Sequence, residues 1–201
     1  MRLFIVFEGG EGSGKSTQAD VLRRKLLRRG FSVVLTREPG GTPLGNKLRR
    51  WIKWSGGITT QTELLFLLAA RSQLVTEVLR PALEKGSVVV CDRYAYSTVA
   101  YQGYGRGMDL DVIRKLNDFV TEGLQPDLVV FLDVDPEDGL GRKSGERDRF
   151  ERQEPGFHLR VREGYLKMAA AEPERWLAVD ASLPRKDIRE LIWQRVERLL
   201  G

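Results

Sequence analysis

The apolar run Leu3-Phe4-Ile5-Val6-Phe7 leads directly into Glu8-Gly9-Gly10-Glu11-Gly12-Ser13-Gly14-Lys15-Ser16-Thr17, and a helical pattern starts at once behind it. Five successive apolar residues suit a strand buried on both faces, as the central strands of parallel sheets are. Gly9 to Thr17 match G-x-x-x-x-G-K-[ST] in the setting this motif requires, after a strand and before a helix. Glycines allow the positive φ angles that turn successive N–H groups inward as an anion nest. The helix start adds the positive end of its dipole. Lys15 is spaced to reach β- and γ-phosphates, and the Ser16 hydroxyl to ligate Mg²⁺. Gly9, Gly10, Glu11, Gly12, Ser13, Gly14, Lys15, Ser16 and Thr17 are therefore candidates for holding a nucleoside triphosphate. GTPases, motor and repair ATPases and small-molecule kinases share this loop, so it does not choose among them.

Four further stretches read as buried strands: 32–35, 87–91, 128–132 and 176–179. Apolar stripes predict helices over 15–29, 62–84, 109–122 and 185–200, with Pro81 expected to kink or end the second. Strands alternating with helices of this length predict an α/β fold. Its core is a doubly wound, five-stranded parallel sheet with helices on both faces, the P-loop NTP hydrolase architecture. A chain of 201 residues holds one such domain. Gly141 to Gly156 are charged and glycine-rich and fit neither element; a solvated loop and an active-site lid are the two readings.

Composition closes other routes. With one cysteine, Cys91, and one histidine, His158, no internal disulfide can form and a zinc cluster is not expected. A Cys–His dyad remains arithmetically open. Cys91 reads as a buried small hydrophobe and His158 as a surface or packing residue. The five apolar residues at the start make neither a signal peptide nor a membrane span, so a cytoplasmic protein is expected. The net charge of +5 suggests an anionic partner without naming one. No guanine-reading Asn-Lys-x-Asp stretch is present, and the aromatic–basic interleaving of a single-strand platform is missing, so no nucleic-acid partner is expected.

The run Val88-Val89-Val90-Cys91-Asp92-Arg93 ends a strand on an acid and a base, where the ligand crevice of a parallel sheet opens. Asp92 would stand beside Mg²⁺ and its waters, and Arg93 would face the phosphoryl groups. At this point the sequence resembles the thymidylate kinase family. The resemblance rests on Arg37-Glu38-Pro39-Gly40-Gly41-Thr42, Asp92-Arg93-Tyr94, Ala100-Tyr101-Gln102-Gly103-Tyr104-Gly105-Arg106-Gly107 and the P-loop written Phe7 to Lys15, in family order over nearly the whole chain.

That resemblance implies Mg²⁺-dependent transfer of phosphate from ATP to dTMP. It also implies a substrate region over 37–107 that includes Glu38, a lid over 141–155 and a homodimer. Glu11 would accept from the sugar 3′-hydroxyl. Arg49 and Arg93 would hold the acceptor phosphate in a planar fork. Arg71 would read a thymine carbonyl, Thr98 and Gln102 would bond the pyrimidine edge, and Tyr101 would exclude a 2′-hydroxyl by bulk. Where the family has a stacking Phe, this chain has Leu67, with Phe66 one step earlier. One step is about 100° on a helix, so either Leu67 makes apolar contact or a distortion brings Phe66 to the base. Arg142, Lys143, Arg147, Arg149 and Arg152 resemble the arginine-bearing lid of bacterial members. Arg149 is the expected catalytic cation with Lys15, Asp92 and Arg93, and Arg142 stands nearer the adenine. Another monophosphate kinase, acting on dUMP for instance, and a nucleic-acid-binding ATPase are the alternatives.

Overall fold

The computed structural model describes residues 2–142 and 144–201, so Lys143 of the expected lid lies outside the described residues. The five strands are β1 (Leu3–Glu8), β2 (Val33–Arg37), β3 (Val88–Asp92), β4 (Leu128–Asp133) and β5 (Trp176–Asp180). They form one parallel sheet in the order β2-β3-β1-β4-β5. The strand succession sets this order: β1 lies centrally and the chain winds outward on both sides through helical crossovers.

The helices are α1 (Lys15–Arg28), α2 (Pro43–Trp54), α3 (Thr60–Leu74), α4 (Arg80–Glu84), α5 (Ala95–Thr98), α6 (Leu110–Thr121), α7 (Pro136–Gly141), α8 (Pro155–Ala171) and α9 (Arg185–Leu200). Alternate β1 side chains divide between the two faces. Leu3, Ile5 and Phe7 pack with Ala19, Leu22 and Leu26 of α1 and Ile188 and Ile192 of α9. Phe4 and Val6 pack with Leu74, Leu79 and Leu83. Burying each such side chain stabilises the fold by about 1.5–3 kcal/mol, which is why the apolar run reads so clearly.

One expectation needs correction. Strands β2 and β5 are not buried on both faces; they are the sheet edges, and several of their side chains reach solvent. Around Pro81 the 62–84 helix is distorted and not ended. The chain widens into a π-helical stretch, Val75–Leu79, and continues as α4 with Pro81 in its first turn, where a missing N–H costs least. A second π-helical stretch, Val99–Gly105, carries Tyr101 and Gln102. Helices α2, α7 and α8 fill the segments whose helical periodicity the sequence reading did not trace. Cys91 is buried as expected, and His158 is buried in α8. No helix among the described residues is long and apolar enough to cross a membrane.

Candidate active site

The P-loop leaves β1 and enters α1 through Gly14, whose φ of 90° caps the helix without any side chain. No acid occupies the first turn of α1, so its N–H groups stay open to an anion. Behind the loop, a Cβ on Gly12 would stand 1.8 Å from the Gly139 carbonyl oxygen of α7, and one on Gly139 would stand 2.3 Å from that of Glu11. This glycine-to-glycine contact sets the loop's seat, and Gly139 was not singled out from sequence. Lys15 curls back to donate to the Gly10 carbonyl (2.6 Å) and Ser13 Oγ (3.1 Å). Burial, then the Arg93 charge, pulls the Lys15 ammonium down to about 8.

Ser16 Oγ donates to Asp92 Oδ2, joining the P-loop to the end of β3. Among the described residues no cluster of three or more His, Cys, Asp or Glu could hold a metal alone. One hydroxyl and one carboxylate beside a phosphate cradle fit Mg²⁺, which keeps water and phosphate oxygens as its other ligands.

Arg93 stands at the centre. Its guanidinium donates to the Gly9 carbonyl (3.0 Å), Ser97 Oγ (3.2 Å), Glu11 Oε1 (2.8 Å) and the Tyr101 hydroxyl (3.0 Å). Tyr101 in turn donates to Glu11 Oε1 (2.9 Å). Burial alone would lower the Arg93 guanidinium, but Tyr101, Glu11, Tyr165 and Glu8 outweigh it and hold the group well above its usual range. Glu8, fully buried beneath, accepts from Tyr94 N, Ser97 N, Ser97 Oγ and Tyr165 OH, and so anchors the start of α5. Arg49 donates to the Pro39 carbonyl (3.0 Å). Burial and the charges of Arg37 and Arg93 push its guanidinium below the ordinary value, the signature of an unneutralised cation cluster. Arg37 was missed. The rule that pointed to Asp92 and Arg93, an ionisable residue at a strand's carboxyl end, finds it equally.

The inner end of the cleft is polar and dry. Arg71 is buried, and each of its nitrogens is engaged: Nε with Glu38 Oε2 (2.7 Å), one terminal nitrogen with Thr98 Oγ1 (2.9 Å) and Asn117 Oδ1 (2.5 Å), the other with the Tyr94 carbonyl (3.1 Å). Arg71 therefore holds the wall together while also lining the cleft, where the resemblance places the arginine that reads a thymine carbonyl. Burial lifts the Glu38 carboxyl to about 7 against the pull of Arg71. Leu67 lines the cleft, whereas Phe66 turns to Trp51 of α2, ring centres 5.9 Å apart. The 100° step thus puts Leu67 in the cleft wall and Phe66 outside it. The aromatic that does reach the cleft is Phe150, edge-on to Tyr101 at 5.7 Å.

The lid segment divides. Arg142 reaches the cleft wall by donating to the Ala181 carbonyl (3.1 Å), on the side of Arg185 and Ile188. Arg149 does not line the cleft. It donates to the Ile52 carbonyl (3.0 Å) and pairs with the buried carboxylate of Glu63, which draws the nearest cations. The expectation of Arg149 at the transferring phosphoryl is corrected on this geometry. Arg152 pairs with Glu146 at the surface.

P-loop residues Glu11 to Thr17, Asp92, Arg93, Arg37, Arg49, Thr98, Tyr101 and Gln102 all border one cleft of about 760 Å³, lined by about twice as many basic as acidic side chains. A triphosphate cradle continuous with a cationic cleft defines the P-loop kinases that phosphorylate a small acceptor. The sequence profile of the thymidylate kinase family matches residues 7–192. A thymidylate kinase from Dehalococcoides mccartyi (strain BAV1) is 52% identical, covering 100% of this chain and 98% of its own. One from Deinococcus radiodurans is 49% identical with 96% of each covered. The crystal structure of thymidylate kinase from Ehrlichia chaffeensis superposes with a TM-score of 0.80 at 34% identity, over 96% of this chain and 98% of that one. The chain belongs to the thymidylate kinase family.

Proposed function

We propose that the chain transfers the γ-phosphoryl group of ATP to dTMP, giving ADP and dTDP. The observation that carries this is the single cleft joining the P-loop to Arg49, Arg93, Tyr101, Thr98 and Gln102. The P-loop amides and Lys15 hold the triphosphate. Arg49 and Arg93, supported by Arg37, neutralise and orient the acceptor phosphate for in-line attack. That phosphate is already anionic at neutral pH, so positioning and charge carry the catalysis and no strong base is needed. Ser16 and Asp92 would hold Mg²⁺, whose charge stabilises the transferring phosphoryl. Glu11 accepts from the sugar 3′-hydroxyl, while the buried Tyr101 ring fills the space a 2′-hydroxyl would need. Arg142 borders the adenine side. Phe150, in place of Phe66, gives the base an aromatic wall.

A homodimer goes with this reading. Val112 and Phe119 on α6 and Leu65 on α3 leave large apolar side chains in solvent, Phe119 by 80%. A cytoplasmic location goes with it too.

The decisive experiment is a panel of monophosphates in an ADP-release assay. dTMP should be the preferred acceptor, and Lys15→Ala should abolish transfer while dTMP binding survives. Turnover of dCMP or GMP with none of dTMP would overturn the proposal.

A further inference from the structure

Glu63 sits in the first turn of α3 yet is fully buried. Its Oε1 accepts from Gln102 Nε2 (2.7 Å) and Arg106 Nε (3.0 Å). Its Oε2 accepts from the Arg106 terminal nitrogen (3.0 Å) and from Arg149 of the lid segment. Burying a carboxylate beside two half-buried guanidiniums is costly unless the arrangement is complete, and this one uses both carboxylate oxygens.

The consequence falls on Gln102. A carboxylate flanked by two guanidiniums accepts hydrogen bonds and offers none, so the Gln102 amide must turn its NH₂ toward Glu63. Its Oε1 is then left buried and without a protein partner, in a residue that lines the cleft. One turn earlier, Thr98 Oγ1 accepts from Arg71, which leaves its hydroxyl hydrogen to donate. The wall therefore carries one acceptor and one donor. A pyrimidine with a carbonyl at C4 and an N–H at N3 pairs with both. Cytosine, with an amino group at C4 and a bare N3, would set donor against donor and acceptor against acceptor.

We infer that Glu63 is a specificity-determining positioning residue: it fixes the Gln102 amide so that the cleft accepts thymine or uracil and rejects cytosine, and through Arg149 it ties that orientation to the lid segment. This rests on the base-side reading proposed above.

The test compares kcat/KM for dTMP with that for dCMP. Glu63→Gln, which can donate as well as accept, frees the Gln102 amide to flip and should lower the ratio by about tenfold or more. dUMP, which shows the same edge as dTMP, should fall in parallel with it. In a Gln102→Leu background the same change should alter the ratio by less than about twofold, because its effect runs through Gln102. If Gln102→Leu collapses the ratio and Glu63→Gln leaves it intact, the role of Glu63 is overturned. If Gln102→Leu also leaves it intact, the base-side reading beneath is overturned. Should Glu63→Gln fail to fold, Glu63→Asp keeps the charge and withdraws it by one methylene. A selective loss for dTMP there supports the inference, and an equal loss for both acceptors overturns it.

Discussion

Arg93 offers a prediction in which two substitutions with the same chemical loss should differ in stability. Its φ is +73°, in the left-handed region, although it is not glycine. Its backbone N–H is committed to the Phe7 carbonyl (2.9 Å), so the backbone cannot relax without breaking the strand exit. A left-handed residue with a Cβ costs roughly 1–2 kcal/mol. Arg93→Ala and Arg93→Gly both delete the guanidinium and with it the ion pair to Glu11. That shared loss is about 3 kcal/mol, the low end for a buried pair, because the two side chains keep 16% and 13% of their exposure. Glycine escapes the φ penalty but pays roughly 0.5–1 kcal/mol more in chain entropy than alanine. The glycine variant should therefore be the more stable, by up to about 1.5 kcal/mol and by about 0.75 kcal/mol at the middle of the two ranges. In a chain of this size that is about 2–4 °C per kcal/mol in Tm. Ordinary positions with negative φ give the opposite order. Urea and thermal unfolding of the two variants side by side are the assay. Equal stability, or a more stable alanine variant, would refute the claim that the Arg93 backbone is strained. Both variants should lose about 100-fold or more in phosphoryl transfer.

ATP affinity should be pH-dependent through Lys15. Its proton leaves near pH 8 in the free protein, and bound phosphates favour the charged form. Affinity should therefore be full below pH 8 and weaken by up to about tenfold per unit above it. Calorimetric titration from pH 7 to 9.5 measures this, and a flat profile rejects the role. Gly139→Ala pushes a methyl against the Glu11 carbonyl and should cost about 1–3 kcal/mol of stability together with at least a tenfold loss of ATP affinity. Unchanged ATP binding would show that α7 does not seat the P-loop. Phe119→Asp should shift a dimer to monomer in light scattering, with the far-UV spectrum preserved; an intact dimer removes that face from the interface.

The phosphate cradle was legible because everything it needs lies within nine residues, where glycine freedom, the lysine and the helix start act locally. The central strands were legible for a related reason: burial on both faces writes an unbroken apolar run. What escaped depends on partners far apart in the chain. Glu63 meets Gln102 39 residues away and Arg149 86 residues away. In sequence it reads as a common first-turn acid, favourable to the helix dipole, with no sign of burial. Arg149 accordingly read as the catalytic cation of a basic loop, whereas in the structure it pairs with the buried Glu63 carboxylate. Arg71 matched a base reader by position, but its partners Glu38, Thr98, Asn117 and the Tyr94 carbonyl could not be read from sequence. The pattern has a physical reason. A cleft that collects anions needs many cations, and cations held close together repel. Acids in the walls hold that charge at fixed positions: buried Glu8 beneath α5, half-buried Glu11 against Arg93, buried Glu38 on Arg71, and buried Glu63 on Arg106 and Arg149. The positive residues that touch phosphate stand out in sequence by type and motif. Glu8 and Glu63, the two acids to which no motif gave a role, stand out only when the chain has folded.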